Sequence, residues 1–273
     1  MTIFYSCSKS DDAIVNPGDD TSTNFKYPYS LNSNWFFTTT HNYTFHPDTI
    51  KNYMAGLDSS VESGYAVWKN DTVINGITAR VLRGNHTSVV HSYNTSEYYV
   101  QTDTGLVNIG YIDDYGTGFG PFRPGVNVYP SKHDKYNFLN NFRGGLFNDI
   151  SYGSDVSKDH VICLRYPIVE NREWFFRNIS DIQTQRKKYL GYEQIRTPAG
   201  TYNCIKIQRK NYTGNPEVLD TNYISYDYFS KVGMVKRSVI VKNNPAYNRF
   251  NGDLIGFYDI GFEVILNSVN IIP

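Results

Sequence analysis

The chain has 273 residues, of which 40% are hydrophobic and 16% aromatic. This length and apolar content exclude a disordered chain and allow either one large β domain or two domains of ordinary size. The 26 basic residues balance the 26 acidic ones, so no field of one sign favours nucleic acid, and we expect no nucleic-acid partner.

The first seven residues, MTIFYSC, form a short apolar run that ends in Ser6 and Cys7. The pattern resembles the end of a bacterial lipobox, in which the cysteine is lipidated and becomes the first residue of the mature protein. A full signal peptide has a basic start and roughly 7–15 apolar residues, and both are short here. The alternative is an ordinary N-terminus with a free thiol. Lipidation of Cys7 would make a membrane the partner of this segment.

Residues 8–24 are polar and rich in Asp, Ser, Gly and Pro, so they cannot bury surface. We therefore expect residues 1–24 to comprise a signal-peptide remnant, the lipidated Cys7 and a flexible tether. The stretch from Ser8 to Asp12 resembles the acidic export signal of surface lipoproteins of the Bacteroidota. An outer-membrane lipoprotein is the expectation, with surface display and retention on the inner leaflet as its two alternatives.

Alternating apolar residues predict β-strands along most of the remaining chain, and the expected class is all-β. Residues from Trp35 to Phe45 alternate with a period of two, as one face of a strand does. Residues 97–112 predict a hairpin that turns at residues 103–105. The longest strand is predicted over residues 254–266, with a glycine kink in a curved barrel wall. One short helix is predicted from Asp48 to Ala55.

Glycine, asparagine and aromatic residues dominate residues 113–158, which predicts long loops with at most one short helix. Binding residues are often carried on such loops. The sequence offers aromatic rings there that could form a platform for a glycan or an apolar ligand, and the first candidates are Tyr115, Phe119, Phe122 and Tyr129.

An internal repeat is indicated by one motif that occurs twice. Residues 27–37 read YPYSLNSNWFF and residues 166–176 read YPIVENREWFF, with Tyr-Pro and Trp-Phe-Phe at identical spacing. The chain has three tryptophans, and Trp35 and Trp174 both lie in this motif. Weaker landmarks follow in the same order, since each copy continues with a Gly-Tyr pair, a turn, an aromatic strand and a further glycine.

The repeat predicts two tandem antiparallel β units of half-barrel or open-barrel type, with long loops between them. The first unit would span residues 25–157 and the second residues 158–273. On this interpretation Trp35 lies over Trp174, Gly64-Tyr65 corresponds to Gly191-Tyr192, and Gly105 lies over Gly233.

Residues 160–240 carry a family resemblance through YPIVENREWFF, GYEQIRTPAGTYNCIKIQ and YFSKVGMVKRS. They resemble a family of Bacteroidota cell-envelope lipoproteins with a duplicated half-barrel unit similar to the LolA/LolB-like lipoprotein carriers. The first copy departs from the pattern, because Asn75-Gly76 replaces the Pro-Ala-Gly turn and no cysteine follows. The resemblance implies no catalytic residues, and it gives lipid carriage only as an analogy of fold.

No catalytic, cofactor or metal residues are predicted. Asp103-Thr104-Gly105 matches one turn of an aspartic protease, but those enzymes pair two such turns, and a hairpin is the better interpretation. The basic run at residues 186–188 is interpreted as a solvated turn. The histidines have no metal-binding spacing, and they lie at positions 41, 46, 86, 91, 133 and 160. If Cys7 is lipidated, Cys163 and Cys204 form either a disulfide or two buried thiols.

Two functional hypotheses follow. The first is a non-enzymatic binding or structural lipoprotein of the cell envelope, with a glycan or apolar ligand and no cofactor. The second is an envelope hydrolase with a dispersed carboxylate site. Two or more carboxylates of raised pKa in one cleft would favour the hydrolase, whereas a cleft lined by aromatic rings alone would favour the binding protein.

Overall fold

A computed structural model of the protein describes residues 25–53, 60–74, 76–87, 92–113, 160–180, 183–248 and 251–273. The interpretations of Cys7, the tether and the loop aromatic residues lie outside the described residues. Within the described ranges the chain forms thirteen β-strands and one 3-10 helix, which confirms the all-β expectation. No helix in this part of the chain is long and apolar enough to cross a membrane.

We call β1–β6 the first half and β7–β13 the second half. The first half contains β1 (Asn34–His46), β2 (Ser60–Ile74), β3 (Ile77–Thr87), β4 (Ser92–Gln101), β5 (Gly105–Asp113) and β6 (Val161–Arg165). The second half contains β7 (Glu173–Ser180), β8 (Gln183–Thr197), β9 (Gly200–Thr213), β10 (Val218–Leu219), β11 (Tyr223–Ser230), β12 (Gly233–Tyr247) and β13 (Leu254–Asn270).

Each half is an antiparallel meander, and the two meanders join into one sheet. The strand order is β6-β5-β4-β3-β2-β1-β13-β12-β11-β9-β8-β7, with the short β10 paired to β9. The first strand of the chain therefore pairs with the last one. The sheet curves into a nearly closed barrel whose two end strands, β6 and β7, lie close to each other.

The alternation along each strand explains which side chains form the core. In β1, Trp35 and Phe37 are buried while Phe36 between them is 45% exposed. The inner face carries a continuous apolar core that includes Trp68, Tyr99, Tyr189, Phe229 and Leu266. Since successive side chains of a strand point to opposite faces, the alternating pattern fixes the inner face of the barrel.

The outer face carries ion pairs, in which basic and acidic side chains of the neutral chain offset each other. Each partner is partly exposed, so the pairs contribute solubility more than stability. Four of them lie in the second half: Lys210–Glu173, Arg186–Glu217, Lys206–Glu193 and Lys236–Glu263.

A smaller core lies beside the 3-10 helix Asp48–Tyr53, where Ile50 packs with Phe45, Ala246 and Tyr258. The helix begins at the predicted Asp48 and ends two residues before Ala55. Gly256 of β13 has φ +154°, and a Cβ there would come 2.5 Å from the carbonyl oxygen of His46. The glycine kink expected in the last strand is therefore required by this close approach.

Candidate binding site

The barrel has two seams between its halves, and they are built differently. At the first seam, β1 pairs with β13 from Asn34 to His46 in a regular antiparallel ladder with one bulge. At the second seam, β6 and β7 share no ladder. We call the first the ladder seam and the second the side-chain seam, because side chains of the second half bind the backbone of β6 there.

Three side chains of the second half hold the side-chain seam. Trp174 Nε1 donates to the carbonyl oxygen of Ile162 at 2.9 Å. Lys187 Nζ donates to the carbonyl oxygen of Cys163 at 3.2 Å. Tyr189 Oη donates to the carbonyl oxygen of Arg165 at 2.8 Å and accepts from its backbone N–H at 3.0 Å. These bonds satisfy backbone groups of β6 that would otherwise lack a partner at a buried sheet edge.

Polar side chains occupy part of the inner face of β8, β9 and β11. The strand register places them in adjacent rows, since Gln185 pairs with Asn211, Lys187 pairs with Arg209, and Arg209 pairs with Ser225. All five side chains are at most 5% exposed. We call this set, Gln185, Lys187, Arg209, Asn211 and Ser225, the polar ledge.

A buried ion cluster borders the polar ledge. Arg209 binds the carboxylate of Asp227 through Nε at 2.9 Å and Nη2 at 3.0 Å, and Arg237 Nε donates to the same carboxylate at 2.6 Å. All three residues are at most 2% exposed. Burial acts to raise the pKa of Asp227, but Arg209 and Arg237 outweigh it and hold this pKa well below its usual range. The carboxylate is therefore ionised and doubly paired.

Lys187 lies inside the barrel with its Nζ 3.9 Å from the centre of the Phe176 ring. Burial, reinforced by the positive charge of Arg209, lowers the pKa of Lys187 to about 7. The interpretation of residues 186–188 as a solvated turn is wrong. These residues lie within β8, and the alternation of the strand turns Lys187 inward between the partly exposed Arg186 and Lys188.

Three polar atoms of the ledge have no hydrogen-bond partner among the described residues: Gln185 Nε2, Asn211 Oδ1 and Ser225 Oγ. The Gln185 amide is oriented by Arg177, whose Nε donates to Gln185 Oε1 at 3.0 Å. That contact directs the amide nitrogen as a donor. An unpaired buried polar group lowers the stability of the fold by about 1–3 kcal/mol. Three such atoms on neighbouring strands are therefore unusual, and they make the ledge a candidate binding site.

The two cysteines that remained as a disulfide candidate are separate buried thiols. Cys163 Sγ lies 3.6 Å from the carbonyl oxygen of Val161, and Cys204 Sγ lies 3.7 Å from that of Tyr202. The structure contains no bond between them, and each side chain packs within the apolar core. Burial raises the pKa of the Cys163 thiol to about 11 and that of the Cys204 thiol to about 12, so both are unreactive near neutral pH.

Asp103 lies in the hairpin between β4 and β5, as the sequence predicts. Its carboxylate is exposed and pairs with Lys26 Nζ at 2.7 Å, and this contact lowers the pKa of Asp103. Its surroundings are therefore those of a surface turn. Among the described residues, no three His, Cys, Asp or Glu side chains are grouped as metal ligands.

Sequence reasoning missed the polar ledge entirely. The signal that could have found it is a polar residue at every second position of three consecutive strands. Residues 185 and 187, 209 and 211, and 225 and 227 show this spacing. Because strongly polar residues also occupied the alternate positions of β8, neither face stood out as the buried one.

One family model matches part of the second half. Residues 169–247 match the model of a family described as DUF3108-like, and this segment contains all three ledge strands. No curated protein matches the chain.

Two crystal structures are similar to the chain. One is of a candidate exported protein with a YmcC-like fold from Bacteroides fragilis NCTC 9343, at 9% identity and a TM-score of 0.33, covering 90% of this chain and 99% of that chain. The other is of a candidate lipoprotein from Parabacteroides distasonis ATCC 8503, at 12% identity and a TM-score of 0.35, covering 90% of this chain and 98% of that chain.

Proposed function

We propose that the protein is a cell-envelope lipoprotein, anchored in the outer membrane through a lipidated Cys7, that acts by binding a ligand and not by catalysis. The lipobox-like end of MTIFYSC and the polar residues after it support the anchor. The observation that carries the binding role is that Asp227 is ionised and paired with two arginines. This carboxylate borders the polar ledge through Arg209, and both Arg209 and Arg237 pair with it.

A hydrolase of the kind considered above needs a carboxylate that can hold or release a proton near neutral pH. The pKa of Asp227 is lowered, which moves it further from neutral pH. Glu97, the other buried carboxylate of the described core, lies on β4 and accepts a hydrogen bond from Tyr99. The two arginines stabilise the ionised form of Asp227, which favours a structural role for this carboxylate over acid catalysis.

The anchor is tested by membrane fractionation of the precursor expressed with its natural upstream start. We expect the protein in the membrane fraction and its release by Cys7→Ser, while Ser10→Ala in the tether leaves it bound. A precursor that is already soluble without substitution would refute the lipid anchor.

The binding role is tested with purified Cys7→Ser protein against glycans, phospholipids and small organic acids. We expect binding without turnover. Binding of phospholipid alone would favour the lipid carriage that the LolA/LolB-like resemblance implies. Turnover of an envelope substrate that is lost in Glu97→Gln or Asp227→Asn, in protein shown to be folded by circular dichroism, would establish the hydrolase instead.

A further inference from the structure

We propose that the polar ledge binds a small carboxylate that also carries a hydroxyl group, that is, a short hydroxy acid. The inference rests on the proposed binding role and deepens it, since it places the ligand inside the barrel on β8, β9 and β11. It differs from the expectation of an aromatic platform on the surface loops.

The ledge is rich in hydrogen-bond donors. Gln185 Nε2 is a donor without a partner among the described residues, and its direction is set because Arg177 occupies the oxygen of the same amide. Lys187 and Arg209 add positive charge in the neighbouring row. Buried donors beside cations fit a carboxylate, which only accepts hydrogen bonds when ionised.

The ledge also contains one acceptor without a described partner, Asn211 Oδ1, and one hydroxyl that both donates and accepts, Ser225 Oγ. A simple carboxylate would leave the Asn211 oxygen unpaired. A hydroxyl on the ligand donates to that oxygen, so a hydroxy acid pairs the donor and the acceptor side of the ledge together. This complementarity selects the ligand class.

Other occupants fit less well. A cation would face the positive charges of Lys187 and Arg209, and Asp227, the carboxylate that borders the ledge, is already shared by two arginines. An apolar ligand would bury the three polar atoms without partners, at the cost that such groups carry. Ordered water alone can satisfy them as well, and that occupant is one outcome of the experiment below.

The ligand must be small, because the ledge side chains are at most 5% exposed. Lys187 belongs both to the ledge and to the seam, where its Nζ binds the Cys163 carbonyl oxygen. A carboxylate on the ledge would compete with that carbonyl for the ammonium group.

The experiment is calorimetric titration of Cys7→Ser protein with glycolate, acetate and ethylene glycol. We expect glycolate to bind, acetate to bind about tenfold more weakly for want of the hydroxyl, and ethylene glycol to give no signal, since a lost buried hydrogen bond is worth on the order of one decade in affinity. Binding of acetate and glycolate with equal affinity would refute the hydroxy-acid assignment.

Two variants locate the site. Ser225→Ala and Gln185→Leu should each weaken glycolate binding by about tenfold, whereas the exposed controls Ser268→Ala and Gln194→Leu on β13 and β8 leave it unchanged. Circular dichroism and the Tm of each variant report folding, and Ser225→Ala removes a single oxygen and should fold.

Absence of glycolate binding to folded protein would mean that the ledge holds water only, and would refute this inference without touching the lipid anchor or the binding role. Glycolate binding that is unchanged in both ledge variants would place the site elsewhere. Turnover of a substrate would instead refute the proposed function.

Discussion

The Tyr-Pro and Trp-Phe-Phe motif has the same burial pattern in the two halves of the barrel, but the side chains that fill the two interiors differ. The buried and exposed positions agree at the aromatic residues that define the motif. The tyrosine, the tryptophan and the last phenylalanine of the motif are buried, and the phenylalanine after the tryptophan is exposed. The buried residues are Tyr27, Trp35 and Phe37 in the first copy and Tyr166, Trp174 and Phe176 in the second. The exposed ones are Phe36 and Phe175.

The backbone before each tryptophan also agrees. Asn32 has φ 65° and its N–H donates to the carbonyl oxygen of Trp68 at 2.8 Å. Asn171 has φ 63° and its N–H donates to the carbonyl oxygen of Tyr189 at 2.9 Å. Trp68 and Tyr189 return the bond, each donating its own N–H to the residue after the asparagine. We propose on this ground that residues 25–157 and 158–273 are copies of one unit.

The interiors differ where the strand register can be followed from each tryptophan. In the first half the path runs from Trp35 to Ala66, then to Gly84 and Thr95. In the second half it runs from Trp174 to Lys187, then to Arg209 and Ser225. Ala66 and Gly84 on one side thus correspond to Lys187 and Arg209 of the polar ledge on the other.

The same register places Glu97 at the position of Asp227, since Thr95 and Ser225 correspond and each carboxylate lies two residues further on. Both halves therefore carry the motif and a buried carboxylate at corresponding register positions, whereas the two charged residues of the ledge, Lys187 and Arg209, belong to the second half. The predictions below test this division.

The largest effect is expected at Asp227. Asp227→Asn removes the charge of the buried carboxylate that Arg209 and Arg237 share, so we expect the free energy of unfolding to fall by about 3–5 kcal/mol. The measurement is urea denaturation followed by circular dichroism. Asp71→Asn, which breaks a partly exposed pair with Arg80, is the control and should cost less than about 1 kcal/mol. Equal losses in the two variants would contradict a specific role for the buried cluster.

The second effect is a pH dependence that comes from Lys187. Its pKa is about 7 in the folded protein and 10.5 as the ordinary value. Between these values the unfolded chain binds more protons, so stability should rise with pH from about 7 to about 10, by up to about 1.4 kcal/mol per unit. Below pH 7 both states hold the proton and this contribution is constant.

Lys187→Met retains the length of the side chain and removes the charge. Urea denaturation at several pH values should show that the rise between pH 7 and 10 is absent in this variant. A variant with the same pH profile as the parent protein would show that Lys187 is not desolvated in the folded state.

The third effect compares the two seams. Tyr189→Phe removes the hydroxyl that pairs with both backbone groups of Arg165, at a cost of about 1–3 kcal/mol. We expect amide hydrogen exchange in β6 to accelerate by about tenfold, because the loss is local to the side-chain seam. Exchange in β1 and β13 should stay unchanged, and acceleration at both seams alike would show that the barrel opens as one unit.

The smallest effect concerns the two indole donors. Trp35 Nε1 donates to the carbonyl oxygen of Val232 at 2.5 Å, and Trp174 Nε1 donates to that of Ile162 at 2.9 Å. Each bond joins the two halves of the sheet. A histidine or phenylalanine would also lose ring volume, so the cleaner change is site-specific incorporation of benzothienylalanine, in which sulfur replaces the indole N–H. Loss of either N–H should cost about 1 kcal/mol by thermal denaturation, and an effect confined to one site would separate the roles of the two copies.

The sequence was sufficient to predict the strands, the hairpin at residues 103–105 and the start of the helix, because alternation and turn residues are local signals. It was not sufficient for register. Tyr99 pairs with Asn108 and Phe229 with Met234, so residues 100–107 form a longer hairpin than residues 230–233, and Gly105 does not occupy the register position of Gly233.

The Gly-Tyr landmarks also differ in register. Gly64 corresponds to Gln185 when both are counted from the tryptophan partners, and not to Gly191. The polar ledge was not predicted from the sequence for a related reason. A buried lysine and a solvated one look alike until the strand that carries them is paired, and the side-chain seam depends on contacts between residues far apart in the chain.

The central claim is that the inner face of the second half is a binding surface for a small hydroxy acid. The most direct measurement is a crystal structure of the protein grown in glycolate. We expect electron density for one glycolate, with its carboxylate near Gln185 Nε2 and Ser225 Oγ and its hydroxyl donating to Asn211 Oδ1. Density for water molecules alone at these three atoms, under conditions in which glycolate is abundant, would contradict it.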